Sequence, residues 1–401
     1  MDGMKDSGID WIGEIPEQWE CEPLRYLVEQ NGDTASYRAD KSYVGLENIE
    51  SWNGKLTLPD EADEVESQVG LFKEGDVLFG KLRPYLAKVV APSFDGQSST
   101  ELIVMTPRRV TTRYLHWLLL NISFIRHIDA LTYGVKMPRT SWFQLRQQYF
   151  PLPEGQEQDE ISAFLDDATS KIDSKVDVLE RQIDVLERYK KSVIHEAVTK
   201  GLDPNAPMKP SGVEWIGDIP EHWEKKRLKY FFQMQSGDNI TSESIEEFSG
   251  FPVFVGNGLR GFTNKFNVDI DSILIGRQGA LCGNVHFVRA PFWASDHAII
   301  VKNVTNQSDR YYFYLLTDMD LNRLSMTAAQ PGISVETVLN QLAILPPLFE
   351  QQEIADYLDE KCGKIDAVFD IKCKQIEVLK KRRQSLIYEY VTGKRRVEAG
   401  V

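Results

Sequence analysis

The chain has 401 residues, of which 42% are hydrophobic and 10% aromatic, enough for two or three domains that each bury a core. No apolar run reaches 18 residues and the first residues lack an apolar segment, so we expect neither a membrane span nor a secretion signal, and a cytoplasmic protein. The formal charge of −14 argues against a chain that is basic overall, but residues 102–150 carry seven bases and one acid. A local basic face therefore remains compatible with the composition.

The cysteines and histidines show no spacing typical of a disulfide framework or a metal site. Cys21, Cys282, Cys362 and Cys373 are scattered, and the six histidines form no HxH or HExxH pattern. We therefore expect reduced thiols, no metal and no cofactor in this chain.

The sequence contains an internal repeat. Residues 7–20 read SGIDWIGEIPEQWE and residues 211–224 read SGVEWIGDIPEHWE, with ten of fourteen pairs identical. From Glu160 and Glu353 the copies run without a gap for forty residues, of which seventeen pairs are identical. A repeat of this length predicts two similar structural units.

Each copy begins with short β-branched and aromatic runs that are bounded by Gly, Pro, Asn and Asp, a pattern typical of strands. These runs include residues 75–80, 86–92, 101–105, 251–256, 272–276 and 297–301. One amphipathic helix follows in each copy, with Thr112 or Ser308 as the expected N-cap.

Each copy ends in a segment whose apolar residues recur at spacings of three and four. In the first copy they lie at 161, 165, 168, 172, 176, 179, 183 and 186. The pattern predicts a helix with a coiled-coil-like seam, about 60 Å long for about forty residues. Such a helix is too long to bury against one domain, so we expect the two helices to pack on each other in antiparallel orientation. The alternative is that each helix packs independently on its own domain.

We therefore predict an α+β fold with two repeated α/β domains, separated by two long antiparallel coiled-coil-like helices and related by a pseudo-twofold axis. The expected divisions are a first domain at 1–150, a first helix at 151–200, a second domain at 201–345, a second helix at 346–393 and a tail at 394–401. The proline-rich segment 199–212 is the expected linker.

Motifs for nucleotide binding or methyl transfer are incomplete. GNGLRG at 256–261 fits GxGxxG, but no helix follows it to receive a phosphate. LPPLF at 345–349 lacks the Asn or Asp of an (N/D)PP(Y/F) loop. Asp296-His297 resembles an acid/base pair, but its counterpart in the first copy is Thr100-Glu101. We predict a binding protein that is not an enzyme.

Two motifs resemble a known family. ILPPLFEQQEIADYLDEKCGKID at 344–366, with a weaker twin at 149–173, resembles the segment that opens each spacer helix in specificity subunits of Type I restriction-modification enzymes. The phrase WIGxIPxxW resembles the start of their target-recognition domains. The order of domain, helix, domain and helix extends the resemblance over essentially the whole chain.

The resemblance implies a non-catalytic DNA reader. Each domain would be a target-recognition domain for one half of a split double-stranded DNA target, and the helices would hold a fixed gap between the halves. Two methyltransferase subunits would dock on this chain, bind S-adenosylmethionine and methylate adenine at N6, so that cofactor is expected in the partner. A separate restriction/motor subunit would translocate and cut unmodified DNA; the sequence leaves open whether one is present.

Candidate DNA-reading residues lie on loops at matching places in the two copies. Arg and Lys suit guanine, whereas Gln and Asn suit adenine. The loops are 80–88 and 132–141 in the first copy and 276–284 and 327–334 in the second. The candidates are Lys81, Arg83, Lys88, Lys136, Arg139, Arg277, Gln278, Asn284 and Gln330. The alternative for each loop is a solvated hairpin.

The copies agree at positions such as Gly80/Gly276 and Ser99/Ser295 but differ at most polar loop positions. The two half-sites should therefore differ, which predicts an asymmetric target. Two other classes remain: a coiled-coil protein-interaction scaffold without sequence-specific DNA binding, and an enzyme with a diverged site.

Overall fold

A computed structural model describes residues 3–58, 68–132, 134, 136–279, 281–325 and 332–397. The chain forms two compact units. Unit 1 comprises Met1–Leu179 and Lys374–Val401, and unit 2 comprises Glu180–Cys373. Each unit thus contains one copy of the short-strand region together with parts of both long helices.

The strands and helices of unit 1 follow the first copy of the repeat. Its strands are β1 (Met4–Asp6), β2 (Glu14–Pro16), β3 (Glu20–Pro23), β4 (Val28–Asn31), β5 (Thr34–Ser36), β6 (Tyr43–Val44), β7 (Gln68–Phe72), β8 (Val77–Gly80), β9 (Val89–Val90), β10 (Gly96–Ser98), β11 (Leu102–Pro107) and β12 (Tyr149–Leu152). Its helices are α1 (Leu24–Leu27), α2 (Thr112–Leu119), α3 (Ile122–Ala130), α4 (Trp142–Leu145) and the first part of α5 (Gly155–Lys200).

The central sheet of unit 1 is antiparallel, in the order β4-β11-β8-β9. A second sheet has the order β5-β7-β10-β6, and β3 pairs with β12. Aromatic rings fill the core beneath the central sheet: Phe124 of α3 lies 4.8 Å from Phe150 of β12 and 6.3 Å from Phe79 of β8 between ring centroids. The apolar side chains of β8 and β11 are buried because α2 and α3 cover one face of this sheet.

Unit 2 repeats the main elements of unit 1, with one strand fewer and fewer short α-helices among the described residues. Its strands are β13 (Met208–Pro210), β14 (Asp218–Pro220), β15 (Glu224–Arg227), β16 (Phe232–Ser236), β17 (Phe251–Val255), β18 (Gly258–Thr263), β19 (Ser272–Gly276), β20 (Val285–Val288), β21 (Trp293–Ala294), β22 (Ala298–Asn303) and β23 (Leu342–Leu345). Its helices are α6 (Asp309–Asp318), α7 (Val335–Leu339) and α8 (Leu348–Val391), of which the residues from Lys374 onward belong to unit 1.

The central sheet of unit 2 has the order β16-β22-β19-β20, which corresponds strand by strand to β4-β11-β8-β9. A smaller sheet has the order β18-β17-β21. The main core joins β19 and β22 to α6 and to apolar residues of α5 and α8, including Val198 and Leu358. The α+β fold with an internal repeat is therefore confirmed.

The two long helices pack together in each unit. In unit 1 the Phe164 and Tyr390 rings have centroids 4.3 Å apart, and in unit 2 Lys372 donates to Gln182 over 2.6 Å. Residues early in α5 thus meet residues late in α8, and later residues of α5 meet earlier ones of α8, so the helices run antiparallel. The seam residues Leu165, Ile172 and Ile365 are buried. Helix-on-helix packing is confirmed, and the alternative of independent helices is wrong.

Two local details refine the sequence interpretation. Ser308 is the N-cap of α6, as predicted, and its hydroxyl accepts from the backbone N–H of Tyr311. The N-cap of α2, however, is Thr111, so the prediction of Thr112 was wrong by one residue. Thr112 is the first helical residue, and its hydroxyl donates to the carbonyl of Gly75 over 2.7 Å.

Within the predicted linker, residues Met208–Pro210 form β13, which pairs with β14. The predicted domain divisions at residues 150, 200, 345 and 393 stay predictions.

Candidate nucleic-acid interface

The structure brings the two predicted loops of unit 1 together. The backbone N–H of Thr140 donates to Lys81 over 3.0 Å, and that of Arg83 donates to Pro138 over 2.8 Å. Leu82 and Arg139 form a β-bridge between these contacts. Residues 81–83 and 138–140 of the two loops therefore form one continuous surface at the end of β8.

A third segment, the turn from Ser99 to Glu101, completes this surface. Gly80 and Leu102 are opposite each other in the antiparallel pair of β8 and β11, so the end of β8 and the start of β11 share one edge of the sheet. As a result, the backbone N–H of Lys81 donates to the carbonyl of Glu101 over 2.9 Å. From the sequence, Thr100-Glu101 is noted only as the counterpart of Asp296-His297, and its place on this surface is not predicted. The matched serines Ser99 and Ser295 were the available signal.

The side chains of this surface are partly engaged with one another. Lys81 Nζ donates to the carbonyl of Thr100 over 2.6 Å, and burial lowers the pKa of Lys81 while the nearby Glu101 carboxylate raises it. Nη2 of Arg139 contacts both carboxylate oxygens of Glu101. Arg83 and Lys136 are exposed, and Arg83 adopts a left-handed conformation with φ +51°.

Lys88 has a different environment. Its ammonium group donates to the carbonyls of Leu46 and Ile49 over 2.6 and 2.8 Å. Burial lowers its pKa. Because two of its three donors satisfy backbone acceptors of the same unit, Lys88 contributes to holding the chain around residues 46–49.

Unit 2 repeats the arrangement of three segments. The backbone N–H of Arg277 donates to His297 over 2.9 Å, and Ile333 donates to Arg277 over 2.9 Å. Gln278 forms a β-bridge with Gly332. The loop after β19, the turn before β22 and the loop before α7 therefore meet, as their counterparts do in unit 1.

The side chains at this second surface differ in chemistry from those of unit 1. Oε1 of Gln278 lies 2.8 Å from Nδ1 of His297, and both side chains are exposed. Arg277 is half-buried, and its Nη1 donates to the hydroxyl of Ser236 over 2.9 Å. The predicted residue Gln330 lies outside the described residues.

Asn284 lies beside the end of β19, where its backbone carbonyl accepts from the N–H of Gly276 over 2.8 Å. It lines a cavity of about 540 Å³ whose walls include Lys191, His286, Asp318 and Asp320. Of the predicted residues in unit 2, Arg277 and Gln278 thus contact the turn before β22 and the loop before α7, whereas Asn284 bonds the end of β19 and lines this cavity.

The two surfaces carry groups suited to base edges and phosphates. Guanidinium groups and the Gln278 amide can bond purine edges, and the exposed cations Arg83 and Lys136 can contact phosphates.

Among the residues that the structure describes, no cluster of three or more His, Cys, Asp or Glu side chains could hold a metal ion. Within the same residues, no helix is long and apolar enough to cross a membrane.

The fold and these surfaces define a protein of two repeated α+β units with two long helices that pack on each other. Residues 220–381 match the family described as the Type I restriction modification DNA specificity domain. The specificity subunit of the Type I restriction enzyme EcoprrI from Escherichia coli is 36% identical over 157 residues, which are 37% of this chain and 39% of that protein. The putative MjaX specificity subunit of Methanocaldococcus jannaschii is 27% identical over 423 residues, 96% of each chain.

A solved chain from work on complex assembly and conformational transition of the type I R-M system has the same fold, with a TM-score of 0.69 and 19% identity. The match covers 95% of this chain and 99% of that one. The chain is thus similar to Type I restriction-modification specificity subunits, in agreement with the resemblance that the repeated motifs carry.

Proposed function

We propose that this chain is the non-catalytic subunit that gives a Type I restriction-modification complex its DNA sequence specificity. Each unit reads one half of a bipartite double-stranded target. The observation that carries the proposal is that the same three backbone segments meet in both units but present different side chains, Glu101 and Arg139 in one and His297 and Gln278 in the other. Equal scaffolds with unequal side chains suit an asymmetric target.

The helices support the bipartite part of the proposal. A helix of 46 residues is about 69 Å long at about 1.5 Å per residue. Half-sites one DNA turn apart are separated by about 34–36 Å. An antiparallel pair of helices of this length is long enough to set such a gap.

Two methyltransferase subunits are the proposed partners, and they would bind S-adenosylmethionine and methylate adenine at N6. A restriction/motor subunit would join through them, and the complex would act in the cytoplasm, where it meets DNA. Because this chain carries a formal charge of −14, we propose that the methyltransferases supply much of the positive surface around the duplex. Weak DNA binding by the isolated chain and tight binding by the complex is the expected result.

Methylome sequencing of cells that express this chain with its methyltransferase partner tests the proposal. We expect one asymmetric motif with two halves and a fixed gap. Exchanging residues 22–150 for another recognition domain should alter one half only, and changes in both halves would contradict modular reading. No motif, together with no specific DNA binding by the complex, would favour an interaction scaffold instead.

A further inference from the structure

We infer that Glu101 and His297 are positioning residues for base recognition: Glu101 orients Arg139 toward a guanine in one half-site, and His297 orients Gln278 toward an adenine in the other. This inference rests on the proposed function. It further identifies, for each unit, the residue that aligns the base-contacting side chain and the base that this side chain prefers.

The turns that carry Glu101 and His297 have the same backbone bonding. The backbone N–H groups of Glu101 and His297 each donate to a serine hydroxyl two residues earlier, Ser99 or Ser295, over 3.2 Å in both units. The carbonyls of Glu101 and His297 each accept from the first residue after the preceding central strand, over 2.9 Å in both units. The fold thus delivers one side chain to the same point of each surface, and only the identity of that side chain differs.

In unit 1 the contact restricts a guanidinium. Nη2 of Arg139 meets both oxygens of Glu101, and among the described residues the guanidinium makes no other hydrogen bond. Nε–H and the two N–H bonds of Nη1 therefore remain available to a ligand, and Nη1 can donate to N7 or O6, the acceptors that guanine presents in the major groove. Because an unrestrained Arg side chain loses about 2 kcal/mol of rotamer entropy on ordering, prior fixation by a carboxylate favours binding.

In unit 2 the contact fixes the orientation of an amide. His297 Nδ1 lies 2.8 Å from Gln278 Oε1, so the imidazole tautomer that carries its proton on Nδ1 donates to Oε1 and holds the amide with its oxygen toward His297. Gln278 Oε1 keeps a second lone pair and Nε2 keeps two donors. Adenine presents a donor at N6 and an acceptor at N7, the complement of an amide that is held in one orientation.

The carboxylate itself argues against a simple phosphate-binding surface. An anionic side chain next to a DNA phosphate is repelled, so a loop selected only for backbone contact would not carry Glu101 beside Arg139. The side chains of Arg139 and Glu101 are 44% and 33% exposed, which leaves the pair accessible to a base edge.

The test uses the complex with its methyltransferase partner and compares methylation at consensus sites with methylation at sites that carry one substituted base. For Glu101→Ala and for Arg139→Ala we expect methylation at sites lacking one guanine of the first half-site to rise about tenfold relative to consensus sites. Glu101→Asp should restore discrimination. His297→Phe and Gln278→Ala should relax one adenine position of the second half-site, and His297→Asn, which keeps a donor near Oε1, should relax it less.

Glu29→Gln is the matched control in unit 1, because Glu29 also pairs with an arginine, Arg108, but lies on β4 outside the three segments. It should leave discrimination unchanged. A merely structural role for Glu101 would lower methylation at all sites together, and that outcome, or relaxation at a base other than guanine, would overturn the inference. A wild-type complex that methylates no bipartite motif would instead refute the proposed function, and this inference with it.

Discussion

Arg383 of α8 and Asp173 of α5 form a buried ion pair in unit 1, with Arg383 Nε donating to Asp173 Oδ1 over 3.1 Å. In the aligned copies, Arg383 corresponds to Lys190 and Asp173 to Asp366, and those two residues form the equivalent pair in unit 2 over 2.6 Å. The repeat is therefore visible in the helix contacts as well as in the sheets. The two pairs differ in burial: the Arg383 side chain is 7% exposed, and that of Lys190 is 33% exposed.

We predict that replacing Arg383 by Met will destabilise the chain far more than replacing Lys190 by Met. Arg383 also donates to the carbonyl of Trp52 over 2.6 Å. Loss of the guanidinium therefore leaves the Trp52 carbonyl without this donor and leaves Asp173 as a mostly buried, unpaired charge. Removing one partner of a buried pair costs about 3–5 kcal/mol, whereas an exposed pair contributes about 0–1 kcal/mol. Urea denaturation followed by circular dichroism measures both; equal losses would contradict this account.

The repeated segments 7–20 and 211–224 suggest a second stability experiment. The indole N–H of Trp19 donates to Glu157 over 2.8 Å, and that of Trp223 donates to Glu350 over 2.9 Å. The second tryptophan of each segment is therefore bonded to the start of the long helix of the same copy. In unit 1 the Trp19 ring also packs against Gly393, whose φ is +70°. A Cβ at Gly393 would lie 2.3 Å from Cδ of Pro16.

We therefore expect Gly393→Ala to lower the free energy of unfolding by more than about 2 kcal/mol, from backbone strain together with steric overlap. Gly217 is the matched control, because its φ is also +70° but a Cβ there would meet no atom within 4 Å. Gly217→Ala should cost only the strain, about 1–2 kcal/mol. Thermal unfolding of the two variants compares them, and an equal shift would show that Pro16 moves aside without cost.

The sequence could predict the strands, the long helices and their seam because those patterns have periods of two and of three to four along the chain. It could not predict that Glu101 meets Arg139, because that contact depends on the antiparallel register of β8 and β11 and on the bridge between Leu82 and Arg139. The role of Lys88 was hidden for the same reason, since its acceptors lie 42 and 39 residues earlier. The shift of the cap from Thr112 to Thr111 is a boundary error of one residue.

His116 gives a prediction about pH. Burial, and to a lesser degree the Arg383 charge, lower the pKa of His116 to about 4 from an ordinary value of 6.5. Since the unfolded chain binds a proton at higher pH than the folded one, the stability linked to this group is fully present above pH 6.5. It is lost as the pH falls toward about 4. The loss by pH 4 is about 3 kcal/mol, at about 1.4 kcal/mol for each pKa unit.

Comparing the pH dependence of stability in the wild-type chain and in His116→Gln isolates this contribution. The carboxylates titrate in both proteins, so their effect on stability cancels in the difference. We expect the wild-type melting temperature to fall more steeply than that of the variant between pH 6.5 and pH 4.5. Parallel curves would show that His116 is protonated in the folded chain over this range.

The exposed cations of unit 1 give a prediction about salt. Arg83 and Lys136 are exposed and lie beside the three segments, so they are available for phosphates, whereas Lys88 is engaged by Leu46 and Ile49. Each phosphate contact contributes about 0.9 to the slope of log affinity against log salt concentration. In a complex with the proposed methyltransferase partner, Arg83→Ala and Lys136→Ala should each reduce that slope by about 1 and weaken binding to all DNA sequences alike.

Fluorescence anisotropy with labelled duplexes at several salt concentrations measures this slope. Lys88→Met is the control, because it removes a charge from the same region, and the Lys88 ammonium group is already bonded to the carbonyls of Leu46 and Ile49. We expect that variant to lower thermal stability and to leave the salt slope unchanged. A reduced slope for Lys88→Met, with no change for Arg83→Ala, would contradict this assignment. It would mean that the DNA phosphates approach unit 1 on the side of Leu46 and Ile49, and that the DNA-binding surface lies there.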